Sequence, residues 1–293
     1  MESVQTGIAL ALVAALMANL ASLLKHRGCQ AAPPVRFRQP LQSARELARS
    51  RWFLAGWGLA AVAWLIHIAS LSMAPISLVQ GILAGGAVTL AVMSQRLFGA
   101  PVERRQWLAL FLGAAGLALL AVTVPQFSGS HSAFAWAPIL GFEGGLALIA
   151  AGLALGHRAE RLNPHNGVLL SILAGTLFAL AGVAIKALTG PGQLVAPVAA
   201  GWIAIIVLCG ILAQYTAVSA LQRGGAVETI GLMGLVANAT QIAGGVLVFG
   251  DPISADPLGI VLQATAFAMV CTSALLLPAG ERPIAPGPQR LAP

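Results

Sequence analysis

Glu143 is an acid set well inside an apolar run, in Gly141-Phe142-Glu143-Gly144-Gly145. A charge at mid-helix costs roughly 2.5–3.5 kcal/mol on insertion scales. Such a carboxylate therefore takes up a proton, pairs with a cation, or sits at the hydrated rim. Lys186 closes another apolar run, in Ile185-Lys186-Ala187-Leu188. It pairs with Glu143, serves a substrate, or snorkels to the interface. Asn238 and Gln241 fall one helical turn apart and so share a face. They line a cavity or bond across helices. His67 stands near Trp64, where it lines a cavity or simply packs. Gln80, Asn19, Gln214 and Tyr215 are further polar side chains inside apolar runs. All nine are candidate substrate-binding positions. They supply no cluster of His, Asp and Glu at one depth, which a membrane hydrolase would need, so no enzyme and no cofactor are expected. The three cysteines, Cys29, Cys209 and Cys271, have no metal-type spacing and no disulfide pattern. Whether a metal binds elsewhere stays open.

These residues must be held by membrane helices. The chain is 58% hydrophobic and 9% charged, and its mean hydropathy is +0.87. Soluble domains carry about a quarter charged residues, so the reading is an all-α polytopic membrane protein. Nine apolar runs of near-spanning length follow one another: 7–24, 52–72, 75–94, 107–124, 136–155, 167–188, 198–220, 226–248 and 258–277. Residues 25–51 form a basic loop in which 41–50 fits a short surface helix. With the N-terminus outside, 15 of the 16 Lys and Arg residues fall on the cytoplasmic side, leaving Lys186 opposite. The C-terminus is then cytoplasmic. The net charge of +7 is explained by these loops, and no nucleic-acid partner is expected. Pairs such as Gly81/Gly85, Gly141/Gly145 and Gly152/Gly156 are expected to let helices pack closely.

Two hinges repeat. Phe98-Gly99-Ala100-Pro101-Val102 separates the third and fourth runs, and Phe249-Gly250-Asp251-Pro252-Ile253 separates the eighth and ninth. Arg104 and Arg105 follow the first, while Asp251 and Asp256 belong to the second, which places that pair outside. Opposite charge at equivalent hinges is what two inverted copies under positive-inside pressure would show. Lys25 and Lys186 end the first and sixth runs in matching positions. The expected organisation is a first repeat over 1–124, a linking fifth span with its loops over 125–166, and an inverted repeat over 167–277. A disordered cytoplasmic tail over 278–293 completes it.

This plan resembles the drug/metabolite transporter (DMT) superfamily, whose members are inverted repeats of short helices. The order of signals is most similar to its NIPA-type branch, named for magnesium transport, and to EamA-like proteins. The matching pieces are Leu23-Leu24-Lys25-His26-Arg27-Gly28, Ala74-Pro75, Gln95-Arg96-Leu97, Gln106-Trp107, Ile185-Lys186-Ala187-Leu188, and Gln214 with Ala220-Leu221. They are spread over nearly the whole chain, and each is short. One departure counts against magnesium. The NIPA-type pattern has an acid in the second span, where this chain has Trp64 and His67. A hard divalent ion wants oxygen ligands.

The expected function is secondary transport of a small organic metabolite or cationic compound by alternating access. The site would lie at mid-membrane, and a gradient sensed by Glu143 would drive uphill transport. The chain carries no Gly-rich nucleotide loop to use ATP directly. A carrier of Mg²⁺ or another divalent cation is the alternative, and a non-transporting accessory or lipid-handling subunit is the second. The expected partners are the substrate and the lipid bilayer of a cell (inner or plasma) membrane. The oligomeric state, a homodimer included, stays open.

Overall fold

The computed structural model describes residues 2–30, 32–35, 39–99, 102–123, 133–159, 166–190, 192–251 and 256–276. Every regular element in them is a helix, as hydrocarbon requires of a backbone with no water to bond. In chain order these are α1 (Glu2–Gln30), α2 (Pro40–Ala48), α3 (Arg51–Met73), α4 (Ile76–Gly85), α5 (Ala87–Phe98), α6 (Arg104–Thr123), α7 (Trp136–Ala159), α8 (Asn166–Leu188), α9 (Ala196–Leu221), α10 (Ala226–Phe249) and α11 (Pro257–Leu276). Seven stretches are long and apolar enough to cross a membrane: Val4–Gln30, Arg51–Met73, Leu78–Leu97, Trp136–His157, Gly167–Leu188, Ala196–Leu221 and Ala226–Phe249. The protein is thus a multi-pass membrane protein. The other two runs read from the sequence are the helices α6 and α11, 20 residues each, which pack along one another.

The third apolar run is present as a spanning stretch, with its helix divided into α4 and α5 at Gly86. Two expectations need correcting. The first run does not end at residue 24. Helix α1 continues to Gln30, so Lys25, His26 and Arg27 are helical rather than loop. Asp251 belongs to a hinge read as an outside loop, yet it is buried, with 5% of its surface exposed. The short surface helix is present as α2, docked by Leu47 into an apolar group with Cys29, Val35, Phe53 and Val218.

The two Phe-Gly hinges take one shape. Gly99 ends α5 at φ 62° and Gly250 ends α10 at φ 67°. A left-handed residue after the last turn captures otherwise unpaired helix carbonyls, and glycine adopts it without a Cβ penalty. Residues 101 and 252–255, which hold the hinge prolines, lie outside the described residues. So does the expected tail over 278–293.

Helix α1 packs along α3, and α8 along α9. The first pair interlocks through glycines: a Cβ on Gly28 would come 2.6 Å from the Phe53 backbone nitrogen. One on Gly56 would come 2.7 Å from the Ala21 carbonyl oxygen. The pairs expected to pack on α7 do not do so, since Gly141, Gly145 and Gly152 meet nothing within 4 Å. Helix α1 also touches α4, α5 and α9, and α8 touches α10 and α3. At the centre α4 meets α10, while α7 lies at the side against α8.

Candidate functional site

Polar groups in the membrane-spanning region gather mainly in three arrangements, each joining helices far apart in the chain. The first is a bridge. The Gln80 Nε2 of α4 donates to the Gln241 Oε1 of α10 at 2.8 Å. Gln80 Nε2 also lies 3.5 Å from the His67 Nε2 of α3. The Gln241 amide donates back to the Ala237 carbonyl at 3.3 Å. That amide rests against Gly182 of α8, where any Cβ would overlap it. His67 Nδ1 and Gln80 Oε1 are buried with no hydrogen-bond partner among the described residues. A buried amide chain of this kind is held by its bonds, because an unmade bond in an apolar interior costs the full desolvation of the group.

The second is a cavity of about 160 Å³ in the middle of the bundle. Its wall combines α1, α4, α5 and α6 with α8, α10 and α11. Asn19, Ser22, Asn238 and Ser273 supply polar groups, and Leu83, Leu90, Leu110, Phe178 and Met233 supply apolar ones. Among the described residues no charged side chain lines it. Asn19 Nδ2 donates to the Gly86 carbonyl at 2.7 Å and to Thr89 Oγ1 at 3.2 Å. It thereby fastens α1 to the interruption between α4 and α5. Ser273 Oγ donates to the Ala109 carbonyl at 2.6 Å. Asn238 is 9% exposed and carries no hydrogen bond among the described residues, so its amide is spare for whatever fills the cavity.

The third is a pair of buried lysines near opposite ends of the bundle. Lys186, with none of its surface exposed, donates to the Leu71 carbonyl at 2.7 Å and the Ala74 carbonyl at 2.9 Å. These are carbonyls of the last turn of α3, the negative end of a helix. Asp251 is close enough to interact with it electrostatically. At the other end Lys25 Nζ donates to Gln214 Oε1 of α9 at 3.4 Å. The same junction holds Gln30 Nε2 to the Leu221 carbonyl at 2.9 Å and Val35 N to Gln222 Oε1 at 2.9 Å. Lys25 thus ties α1 to α9, and Lys186 ties α8 to the end of α3.

Of the nine sequence candidates, His67, Gln80 and Gln241 come together, Asn19 and Asn238 share the cavity, and Lys186 and Gln214 belong to the end junctions. Tyr215 packs beside the Cys29 and Val218 group. Glu143 stands apart. It shares the stripe of Leu146 and Ala150, which pack with Leu173, Leu177 and Leu180 of α8 and Ala213 of α9. Its Oε1 is buried without a hydrogen-bond partner among the described residues, and Cys209 is near enough to feel its charge. Lys186 bonds to the α3 carbonyls, and no bond joins it to Glu143. Among the described residues no group of three or more His, Cys, Asp or Glu converges as a metal site. Sequence reasoning missed Asp251, Gly182 and Ser273. The composition of the hinge pointed to solvent, and glycine or serine in an apolar run gives no signal of its own.

Aromatic rings cover the end that carries Lys186. Trp136 stacks on Trp202 at 6.0 Å, and Phe134 meets Trp202 and Phe249 edge-on. At the other end Arg27 lies 4.4 Å above the Trp52 ring, a cation–π contact at the level where interfacial tryptophans sit.

Compared with family models, curated proteins and solved structures, the chain matches none of them.

Proposed function

We propose that this protein is a secondary transporter built on the drug/metabolite plan, moving a small organic solute by alternating access. The observation that carries the proposal is the central cavity, walled by helices of both parts of the chain and supplied with an uncommitted amide, Asn238. Small-molecule sites are mostly apolar, with a few placed polar groups, which describes this wall.

The packing supports two equivalent repeats. Exchange α1 with α8, α3 with α9, α4 and α5 with α10, and α6 with α11. The α1–α3 contact then becomes α8–α9, α1–α4 becomes α8–α10, and α1–α9 becomes α8–α3. The α4–α10 and α6–α11 contacts map onto themselves. The pairing of α4 and α5 with α6 is the exception, being more extensive than that of α10 with α11. Inverted repeats would make α6 and α11 the eighth and ninth crossings. Together with the distribution of basic residues, this supports the outside N-terminus and a cell membrane location.

In this reading the junctions at the two ends alternate. Lys186 on the α3 carbonyls and the Gln80–Gln241 bridge close one end, and Lys25, Gln30 and Gln222 close the other. Releasing one set opens the cavity to one side. Glu143 lies outside the cavity wall, so it serves as a coupling site rather than a substrate contact. The divalent-cation alternative keeps the support of the NIPA-type resemblance, but the cavity wall offers no carboxylate.

The test is ligand-dependent thermal stability of the purified protein, followed by counterflow in proteoliposomes. The panel holds Mg²⁺, amino acids, quaternary amines, polyamines and neutral amides. A ligand that binds only the folded state at 100 times its Kd stabilises by about 2.7 kcal/mol. A saturable shift with an organic compound, lost in Asn238→Leu, and counterflow of that compound are expected. A shift with Mg²⁺ alone would replace the organic reading with the cation one. No shift and no counterflow across the panel would overturn transport.

A further inference from the structure

We infer that the solute is uncharged and partly apolar, and that it reaches the cavity from within the bilayer through a groove between α1 and α6. The inference rests on the transport reading and adds the substrate class and its route. The groove has a volume of about 530 Å³. Helices α1 and α6 both pack on α4 and α5 but barely meet each other, so α4 and α5 form the floor of a gap. Its walls include Leu12, Leu16, Leu78, Ile82 and Val122. Leu12 and Val122 are 52% and 82% exposed, on a surface that lipid covers in a membrane.

Groove and cavity share a wall. Ala15 lines both. Beside it, Asn19 faces the cavity, while Gly86 and Thr89, the two groups it bonds, line the groove. A Cβ on Gly86 would come 3.1 Å from Ala15 Cβ, so α1 packs tightly on the junction of α4 and α5 at this wall. The wall falls where α4 gives way to α5, and rotation of the Asn19 side chain would break both of its bonds and join the two spaces. Among the described residues neither wall carries a charged side chain, so an ion taking this route would lose hydration with no charge in these walls to replace it. Asn238 offers both a donor and an acceptor, which suits an amide, a hydroxyl or a neutral amine.

The test places a thiol in the cavity as Asn238→Cys, in protein reconstituted into phosphatidylcholine vesicles. Two reagents compete for it: uncharged N-ethylmaleimide and cationic trimethylammonium-ethyl methanethiosulfonate. Mass spectrometry of the peptide bearing position 238 reads the adduct, so Cys29, Cys209 and Cys271 stay in place. Rates are normalised to Leu41→Cys on the exposed face of α2. The neutral reagent is expected to be favoured about 100-fold, the partition ratio that burying a charge implies. Leu12→Trp, at the exposed mouth of the groove, is expected to slow neutral labelling about tenfold by blocking it, with the Leu41→Cys rate unchanged. Equal normalised rates for the two reagents, or neutral labelling unaffected by Leu12→Trp, would overturn the inference. The transport reading fails separately: labelling that Leu12→Trp slows, with no panel compound in counterflow, would leave the route and remove the carrier.

Discussion

Lys186→Met removes a fully buried ammonium without changing much volume. Its two bonds to carbonyls, at 2.7 and 2.9 Å, are charge-assisted. Hydrogen bonds to charged groups contribute about 1.5–3 kcal/mol each, so the pair grosses about 3–6 kcal/mol. Desolvating the ammonium offsets much of this in the intact protein. The variant recovers that cost, but it leaves the Leu71 and Ala74 carbonyls without this donor and Asp251 buried near a thioether. Truncating one member of a buried charged group costs about 3–5 kcal/mol, and that is the expected loss. The assay is equilibrium unfolding in mixed lipid–detergent micelles, followed by tryptophan fluorescence and circular dichroism. Asp251→Asn and the double variant complete a cycle. A coupling energy of about 0.5 kcal/mol or more is expected from their electrostatic interaction. A loss below about 1 kcal/mol in Lys186→Met, with additive effects in the cycle, would refute the argument that this lysine clamps α8 to α3.

Gly182→Ala drives a methyl into the Gln241 amide, and a cost of about 1–3 kcal/mol is expected. Gln241→Ala in the same chain should restore most of it, as measured by the same unfolding assay. Asn238→Leu loses no hydrogen bond, so stability should change by less than about 0.5 kcal/mol while ligand-induced stabilisation and counterflow disappear. Lost stability with counterflow retained would mark Asn238 as structural. Glu143→Gln should abolish uphill uptake and leave counterflow intact, since Glu143 lies outside the cavity wall. Unchanged uphill uptake would remove Glu143 from coupling. Gly86→Leu should clash with Ala15 and displace Asn19 from its two bonds, and a loss of about 1–3 kcal/mol in unfolding is the check.

The sequence by itself determined the membrane character, the helical class and the order of the elements, because hydrocarbon admits few backbone solutions and apolar runs of spanning length declare themselves. It also picked out the two Phe-Gly hinges, whose glycines share one left-handed cap. It singled out Gln80, Gln241, Asn19 and Asn238, since a polar group in an apolar run needs a reason. Partnership was decided only by the tertiary structure. Gln80 and Gln241 are 161 residues apart, and nothing local says that one amide bonds the other. Lys186 and Glu143 read as a pair by charge, but α8 turns the ammonium toward the end of α3, while Glu143 lies near Cys209 of α9. Asp251 read as a solvated loop acid, and the turn of the chain at Gly250 folds it back against α10, where its backbone N–H bonds the Gly245 carbonyl at 2.9 Å. Apolar spacing sets which residues face inward along one helix, but the rotation of each helix against its neighbours depends on contacts summed over the whole bundle. For that reason the cavity wall, the partition at Asn19 and the isolation of Glu143 emerge only when all the helices are packed.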